Sequence, residues 1–305
     1  MDFSVIITRM VILLLLIAVG FVAAKRGVFP AGSNRVLSQL VICIANPCMV
    51  LFSVLGSERQ LSNRQVYLLT AIAVAMYVVL ILLGLLLPRL LRCPEKDLRL
   101  YRFMCIFSNM GFLGFPVVEA VYGANAVFYA AIFNLVFQFV VYTYGVELLA
   151  PSGSRFSLKR LTTPMIPASL LAYLFYLTNI RAPAFVTGAL EMLGSVSSAV
   201  CMLVIGIALS AVPLHEVFTN WRLYVICLIR QLLLPLAVYA LLHPFVANEL
   251  ILGVTVLMAS MPIAALSTLL TAKYGGNERL AASGVFLSTL LSLAAVPLLL
   301  WLLFG

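Results

Sequence analysis

"FSNMGFLGFPVVEAVYG", residues 107–123, places helix-breaking residues inside a stretch that is otherwise apolar enough to cross a membrane. The stretch contains Asn109, Gly111, Gly114, Pro116 and Glu119. Proline removes a backbone donor and crowds the preceding helical turn, while glycine weakens a helix. The stretch therefore predicts an interrupted membrane helix. Such a break is costly in lipid, so it is expected where protein or a water-filled cavity satisfies the freed backbone groups.

The composition of the whole chain supports a membrane environment. Hydrophobic residues make up 64% of the 305 residues, charged residues only 10%, and the mean hydropathy is +1.15. A soluble domain of this length needs a more polar surface. Residues 11–16 and 78–87 are continuously apolar, without the alternation of a barrel strand. We therefore predict an all-α polytopic membrane protein.

Apolar segments and the charged loops between them predict ten membrane helices and their orientation. The helices are expected at 3–24, 33–55, 66–88, 103–122, 125–149, 164–180, 185–212, 221–243, 249–272 and 278–304. Alternate loops, starting with the first, hold 14 of the Lys and Arg residues, and the opposite loops hold 3. The positive-inside rule then places the basic loops in the cytoplasm and both termini outside.

An internal repeat divides these helices into two groups of five. The sequence YGAN (122–125) recurs as YGGN (274–277), 152 residues later. At an offset of 153, four residues of the second helix match four of the seventh: Leu37, Leu40, Cys48 and Met49 correspond to Leu190, Leu193, Cys201 and Met202. Because five is odd, the second group must enter the membrane from the other side. This predicts two inverted repeats, residues 1–149 and 164–305, joined by a cytoplasmic linker at 150–163, an architecture typical of secondary transporters.

The fourth and ninth helices are equivalent in this repeat, and both are interrupted. The ninth contains Ser260, Pro262, Ser267 and Thr268. Two helices broken near the midplane can cross and direct half-helix N-termini inward, and Pro116 is expected in the first turn of such a half-helix. Free amides at these N-termini attract anions. We therefore expect a small anion to bind among Asn109, Gly111, Gly114, Pro116 and the four residues of the ninth helix. The alternative is that these residues only kink and pack the helices.

Four further polar residues within the predicted spans are candidates for the site. Asn46, followed by a proline, could line the crossing or merely accompany a kink. Arg230 could pair with a substrate carboxylate, neutralise an acidic neighbour or snorkel to the interface. Glu119 and Glu191 could titrate in coupled ion transport, or lie at the membrane interface.

The sequence lacks a phosphate-binding loop, a cysteine and histidine pattern for a metal, and a nucleophile motif. We therefore expect a protein that is not an enzyme, with no cofactor and no metal. The net charge of +9 reflects orientation in the membrane and not binding of nucleic acid. The expected partners are a small anion and membrane lipid; a homodimer and H⁺ or Na⁺ as coupling ion stay open.

Four stretches together resemble the auxin efflux carrier family, in its bacterial branch related to the plant auxin carriers. They are NPCMVLFSVLG (46–56), SNMGFLGFPVVEAVYG (108–123), MPIAALSTLLTAKYGG (261–276) and STLLSLAAVPLLLWLL (288–303). The resemblance covers essentially the whole chain. It implies ten helices in two inverted repeats, as in the bile-acid transporters, and a bacterial inner-membrane location.

The resemblance also implies a mechanism. Helices 1, 2, 6 and 7 form a scaffold, and helices 3–5 and 8–10 form a domain that carries substrate across the membrane like an elevator. Asn109 and Pro116 match the family's fourth-helix pattern, and Pro262 lies in the matching part of the ninth. Ser267 and Thr268 stand near the plant carriers' crossover proline, and the long plant loop is absent, so malate, malonate or a similar acid is favoured over auxin. The alternatives are a sodium-coupled carrier of another substrate and a non-transporting sensor or enzyme.

Overall fold

The computed structural model describes residues 3–30, 32–56, 58–150, 163–211, 217 and 219–304. Helices dominate these ranges, and one short antiparallel β-type contact joins Ser108 to Ile263. We number the helices so that two segments separated by a break share a number. They are α1 Phe3–Lys25, α2 Ser33–Leu55, α3 Asn63–Leu90, α4a Leu98–Ile106, α4b Met110–Tyr122, α5 Ala124–Leu149, α6 Met165–Thr178, α7 Ala184–Ser210, α8 Trp221–Leu242, α9a Glu249–Ser260, α9b Leu266–Tyr274 and α10 Glu278–Phe304.

The predicted helices all have a counterpart, and the fourth and ninth are each divided in two. Six helices in the described part of the chain are long and apolar enough to cross a membrane: α2, α3, α5, α7, α8 and α10. The chain is therefore an integral membrane protein with several apolar helices. Crossing by the shorter helices, and the inverted orientation of the halves, stay predictions. Most of the predicted linker, residues 151–162, lies outside the described residues.

Local sequence signals explain where helices begin. Ser62 precedes α3, and its hydroxyl accepts from the Gln65 amide at 3.4 Å while the Gln65 side chain accepts from the Ser62 amide at 2.9 Å. This reciprocal capping box satisfies two amides that the first helical turn leaves free. Asn248 caps α9a in a similar way, accepting from the amides of Leu250 and Ile251 at 3.0 and 3.2 Å.

Four helices form a continuous packed group, in the order α1, α7, α2 and α6. Glycines let α1 and α7 approach closely. A Cβ added to Gly206 of α7 would lie 2.1 Å from the Ile17 carbonyl oxygen, and one added to Gly20 of α1 would lie 2.5 Å from the Leu203 carbonyl oxygen. Small residues at such crossings are how membrane helices gain van der Waals contact where lipid supplies no hydrophobic force.

Candidate functional site: the crossing of two broken helices

The break between α4a and α4b lies directly against the break between α9a and α9b. The Asn109 amide donates to the Pro262 carbonyl at 2.8 Å, and the Ala264 amide donates to the Phe107 carbonyl at 3.0 Å. These bonds form a short antiparallel pairing in place of the missing helical bonds. Each break thus satisfies backbone groups of the other, which an apolar environment requires of non-helical chain.

The sequence predicts an interruption of α4 at 109–111 and 114–116, and the structure places the break at the start of the first stretch. Residues 107–109 are non-helical, and the chain resumes a helical course at Met110, so both glycines of the motif lie within α4b. Pro116 is the second residue of the α-helical segment Phe115–Tyr122, as a first-turn position requires, but a π-helical turn, Met110–Gly114, precedes that segment. In this π turn each carbonyl accepts a hydrogen bond from the amide five residues later. Because the turn lies between the break and Pro116, the proline stands one turn away from the break.

Pro116 leaves the Gly111 carbonyl without its π-turn partner, and a second helix supplies one. The Phe115 amide donates to the Met110 carbonyl, so the next bond of the series would come from residue 116, which has no N–H. The Asn46 side-chain amide of α2 donates to the Gly111 carbonyl at 3.2 Å instead. A π turn followed two residues later by proline recurs at Pro47 in α2 and Pro235 in α8.

Polar side chains from four helices converge beside the α4 break. Asn46 is 4% exposed, and its side-chain oxygen accepts a hydrogen bond from the Ser197 hydroxyl of α7. A Cβ added to Gly111 would lie 3.8 Å from the Asn46 nitrogen and 3.6 Å from the side-chain oxygen of Asn134 on α5. Asn109, the last non-helical residue of the break, is 5% exposed and contributes the side chain from α4. The sequence predicted Asn46, Asn109 and Gly111 as neighbours of one site, and the structure brings these three residues into the same region.

The α9 side of the crossing is less polar. Pro262 lies inside the break, where the sequence places it. The hydroxyls of Ser260 and Thr268 donate to carbonyls three residues earlier, each at 2.8 Å, so they serve the local backbone. Ser267, in the first turn of α9b, is fully buried, and its hydroxyl has no hydrogen-bond partner in the described part of the chain. Of these three hydroxyls, that of Ser267 is the one with unused hydrogen-bonding capacity.

The side chain of Arg230, on α8, contacts the α4 break at the end of α4a. It is 2% exposed, and its guanidinium donates to the Met104 carbonyl at 3.4 Å and to the Ser108 hydroxyl. The sequence allows an acidic neighbour for Arg230. Among the described residues, however, no carboxylate lies within 4.0 Å of its guanidinium. Burial also contradicts the alternative that Arg230 snorkels to the interface.

A family model described as "Membrane transport protein" matches the sequence over residues 5–160 and 155–301. The chain belongs to this membrane transport family. The family and its relatives confirm the resemblance to the auxin efflux carriers. An uncharacterized transporter of Methanocaldococcus jannaschii is 24% identical over 96% of this chain and 97% of its own. The uncharacterized transporter YfdV of Escherichia coli K12 is 20% identical over 94% of each chain. An uncharacterized transporter of Methanothermobacter thermautotrophicus is 30% identical over 62% of this chain and 63% of its own.

The two candidate coupling residues of this membrane transport protein have different surroundings. Glu119 of α4b is half-buried and accepts a hydrogen bond from the Ser198 hydroxyl of α7, one residue after the serine that bonds Asn46. Glu191, also on α7, is exposed and stands apart from the buried polar group. The structure therefore brings Glu119 into the network that joins α4b to α7, and leaves Glu191 outside it.

Sequence reasoning missed three buried polar residues that brace the breaks: Ser108, Gln231 and Ser288. Ser108 accepts from Arg230. The Ser288 hydroxyl accepts from the Ile263 amide at 3.1 Å, and Gln231 donates to the Ser288 carbonyl at 2.7 Å. Ser108 precedes Ser260 by 152 residues, the offset of the repeat, which is a signal that could have drawn attention to it. Ser288 and Gln231 carry no such signal, because they contact the site only through the folded chain.

Proposed function

We propose that this transport protein carries a small organic anion, a carboxylate such as malate or malonate, by alternating access. The observation that carries the proposal is the crossing of two broken helices, since secondary transporters typically bind their substrate where interrupted helices meet. Membership in a membrane transport family supports the general activity. The carboxylate follows from the chemistry of the crossing and from the family resemblance.

The half-helices α4b and α9b both start at the crossing, so their positive ends meet there. Such ends favour negative charge, each by about 0.3–1 kcal/mol at exposed sites and up to about 2 kcal/mol when partly buried. Asn46, Asn109 and Ser267 add neutral hydrogen-bonding groups within the first turns or against them. A carboxylate fits this combination, because it accepts several hydrogen bonds and carries its charge on two oxygens.

Movement of one helix group against another would open the crossing to each side in turn. We assign α1, α2, α6 and α7 to a fixed scaffold and α3–α5 with α8–α10 to the moving part. An apolar cleft of about 190 Å³, lined by Leu13, Ile17, Val117, Val296 and others, lies between α1, α4b and α10. Aliphatic surfaces of this kind can slide without breaking many polar contacts. The bonds that Asn46 and Ser198 make to α4b would be exchanged during the movement, and protonation of Glu119 is a route for coupling to H⁺.

The inverted arrangement of the repeats, with both termini on the extracytoplasmic face of a bacterial inner membrane, belongs to the same proposal. It rests on the unequal distribution of basic residues between the loops. Cysteine accessibility at Arg59→Cys and Lys96→Cys, each in a background whose six native cysteines are replaced by alanine, tests it in intact cells. Labelling of Arg59→Cys by a membrane-impermeant maleimide, with protection of Lys96→Cys, is expected. The reverse pattern contradicts the orientation.

Uptake of radiolabelled malonate or malate into proteoliposomes tests the activity. Asn109→Ala and Gly111→Leu are expected to reduce uptake to background, while Gly111→Ala retains it, because a single Cβ there makes only ordinary contacts with Asn134 and Asn46. Ser195→Ala is the matched control: this serine is exposed on α7 and bonds its own helix. All variants are compared at equal reconstituted amounts, as monodisperse protein.

Thermal unfolding provides an independent measurement. A carboxylate at 100 times its Kd is expected to stabilise the wild-type protein by about 2.7 kcal/mol, and Asn109→Ala to lose that stabilisation. Normal uptake by both Asn109→Ala and Gly111→Leu would place the substrate elsewhere. A strict dependence of uptake on a sodium gradient, without preference for carboxylates, would favour the sodium-coupled alternative.

A further inference from the structure

Arg230 is a buried cation with no compensating acid among its neighbours in the described ranges of the chain. Its surroundings are Tyr77, Cys105 and Cys227, together with the Met104 carbonyl and the Ser108 hydroxyl that accept its hydrogen bonds. One guanidinium nitrogen, Nε, is buried and has no hydrogen-bond partner in the parts of the chain that the structure describes. Burying an unpaired charge is expensive, so this arrangement needs a reason beyond packing.

The crossing contains two helix C-termini as well as two N-termini. The ends of α4a and α9a direct unsatisfied carbonyls and partial negative charge toward the same region that α4b and α9b make positive. A carboxylate would be repelled by the first pair as it is attracted by the second. Met104 lies in the last turn of α4a, so the guanidinium of Arg230 binds directly to the negative end of that half-helix.

The shape of α8 is what directs this arginine inward. Residues Ile229–Leu233 form a π turn, and Pro235 follows, so an additional residue is accommodated on the buried face. Arg230 and Gln231 are consequently both 2% exposed although they are adjacent in sequence. Arg230 binds the α4 break, and Gln231 binds Ser288, which accepts from the Ile263 amide in the α9 break.

We propose that Arg230 is the charge-selecting residue of the crossing. It cancels the negative end of α4a, so the region between the breaks keeps a net positive potential and accepts divalent carboxylates. Arg230 acts through the α4a terminus and Ser108 as a positioning residue, since its full burial separates it from a ligand that enters the crossing. The inference rests on the proposed carboxylate transport and adds to it the origin of the preference for anions.

Competition against labelled malonate uptake by malonate and by its monoamide, malonamate, measures the effect. The two probes have the same shape and differ by one negative charge. Arg230→Gln is expected to raise the KM for malonate at least tenfold, while the KM for malonamate and the kcat change less. Arg230→Lys is expected to restore most of the preference for malonate. A purely structural arginine would lower kcat and stability for both probes alike, and lysine would not rescue selectivity.

Arg222 offers the matched control on the same helix. It donates to the Leu91 and Arg92 carbonyls at 3.1 Å each, at the C-terminal end of α3 and away from the breaks. Arg222→Gln is therefore expected to leave the ratio of the KM values for malonate and malonamate unchanged.

If Arg230→Gln does not fold, the pair Ser108→Asp and Ser108→Asn provides the test. The aspartate would pair with the guanidinium of Arg230 and is expected to raise the KM for malonate tenfold relative to the asparagine variant.

Two results separate this inference from the proposed function. A wild-type protein that neither binds nor transports malonate or malate contradicts the proposed function itself. A wild-type protein that transports malonate, with the same charge preference in Arg230→Gln or the same KM in Ser108→Asp and Ser108→Asn, overturns the role of Arg230 alone.

Discussion

The breaks in α4 and α9 resemble each other in backbone and differ in what braces them. Each break donates one amide hydrogen bond to the other, and each half-helix that follows ends at a glycine of positive φ, Gly123 at +85° and Gly275 at +77°. These glycines belong to the repeated YGAN and YGGN sequences. A residue of positive φ at this position ends a helix, and glycine adopts such a conformation without steric cost.

The bracing of the two breaks is unequal. The α4 break contains Ser108 and Asn109, receives the cation of Arg230, and continues into a π turn that Asn46 supports from α2. The α9 break, residues 261–265, contains Pro262 and is braced by the neutral hydroxyl of Ser288. The half-helix α9b starts as a regular α-helix.

This difference separates a feature that both breaks share from the features that only one of them has. Backbone pairing recurs on both sides because any break in an apolar interior must satisfy its own amides and carbonyls. The side chains are free to diverge once that condition is met. In this protein the α4 break receives a charged side chain and two amide side chains, whereas the α9 break contains proline and is followed by a single unused hydroxyl.

The largest expected effect comes from removing a backbone bond that the two breaks share. Ala264→Pro eliminates the amide that donates to the Phe107 carbonyl, and leaves that buried carbonyl unpaired. We expect a loss of about 3 kcal/mol in stability, the upper end for such a group, and no uptake. Thermal unfolding in detergent and malonate uptake measure the two consequences.

Ala265→Pro is the control for this substitution. Residue 265 already has φ of −58°, which proline adopts, and it stands just before the first turn of α9b, where a backbone amide is not required. The free energy of unfolding of Ala265→Pro is expected to stay within about 1 kcal/mol of the wild-type value. Equal losses in the two variants would show that the pairing between the breaks is not what proline disrupts at residue 264.

A smaller effect tests the bracing that is present on the α4 side alone. Asn46→Ala leaves the Gly111 carbonyl without its donor and is expected to cost about 1–2 kcal/mol. Pro116→Ala restores an amide at the position from which a π turn would bond that carbonyl. Asn46→Ala should therefore cost less in the Pro116→Ala background, and a double-mutant cycle of thermal unfolding measures the difference. Strict additivity would mean that the proline and the asparagine are unrelated.

The smallest effect on stability is expected at Ser267. Its hydroxyl is buried without a partner among the described residues, so Ser267→Ala removes no hydrogen bond within the protein and should change stability by less than about 0.5 kcal/mol. If this hydroxyl binds the substrate, the KM for malonate rises several-fold while the unfolding temperature is unchanged. An unchanged KM would leave the α9 side with only a backbone role.

Much of the architecture could be predicted from the sequence. Apolar length and the absence of alternation predicted the helices, because in lipid the backbone must pair within each segment. Gly and Pro predicted that the fourth and ninth helices are interrupted, and the YGAN and YGGN repeat predicted that they are equivalent. The residues around Asn46 and Asn109 were recognised because polar groups in apolar helices are rare.

The position of the α4 break was decided by tertiary structure. The sequence marks two breaking stretches, 109–111 and 114–116, and the chain breaks at the start of the first, at residues 107–109, where Pro262 and Ala264 provide backbone partners. A helix carrying proline can continue if another helix satisfies the carbonyl that proline leaves free, and Asn46 does so from 65 residues away.

The sequence by itself determined that two helices are broken, since propensity and lipid solvation act within each segment. Only the tertiary structure decided where α4 breaks, which side chains brace it and that Arg230 meets the end of α4a. These are contacts between distant residues, in which a hydrogen bond from another helix outweighs the local preference.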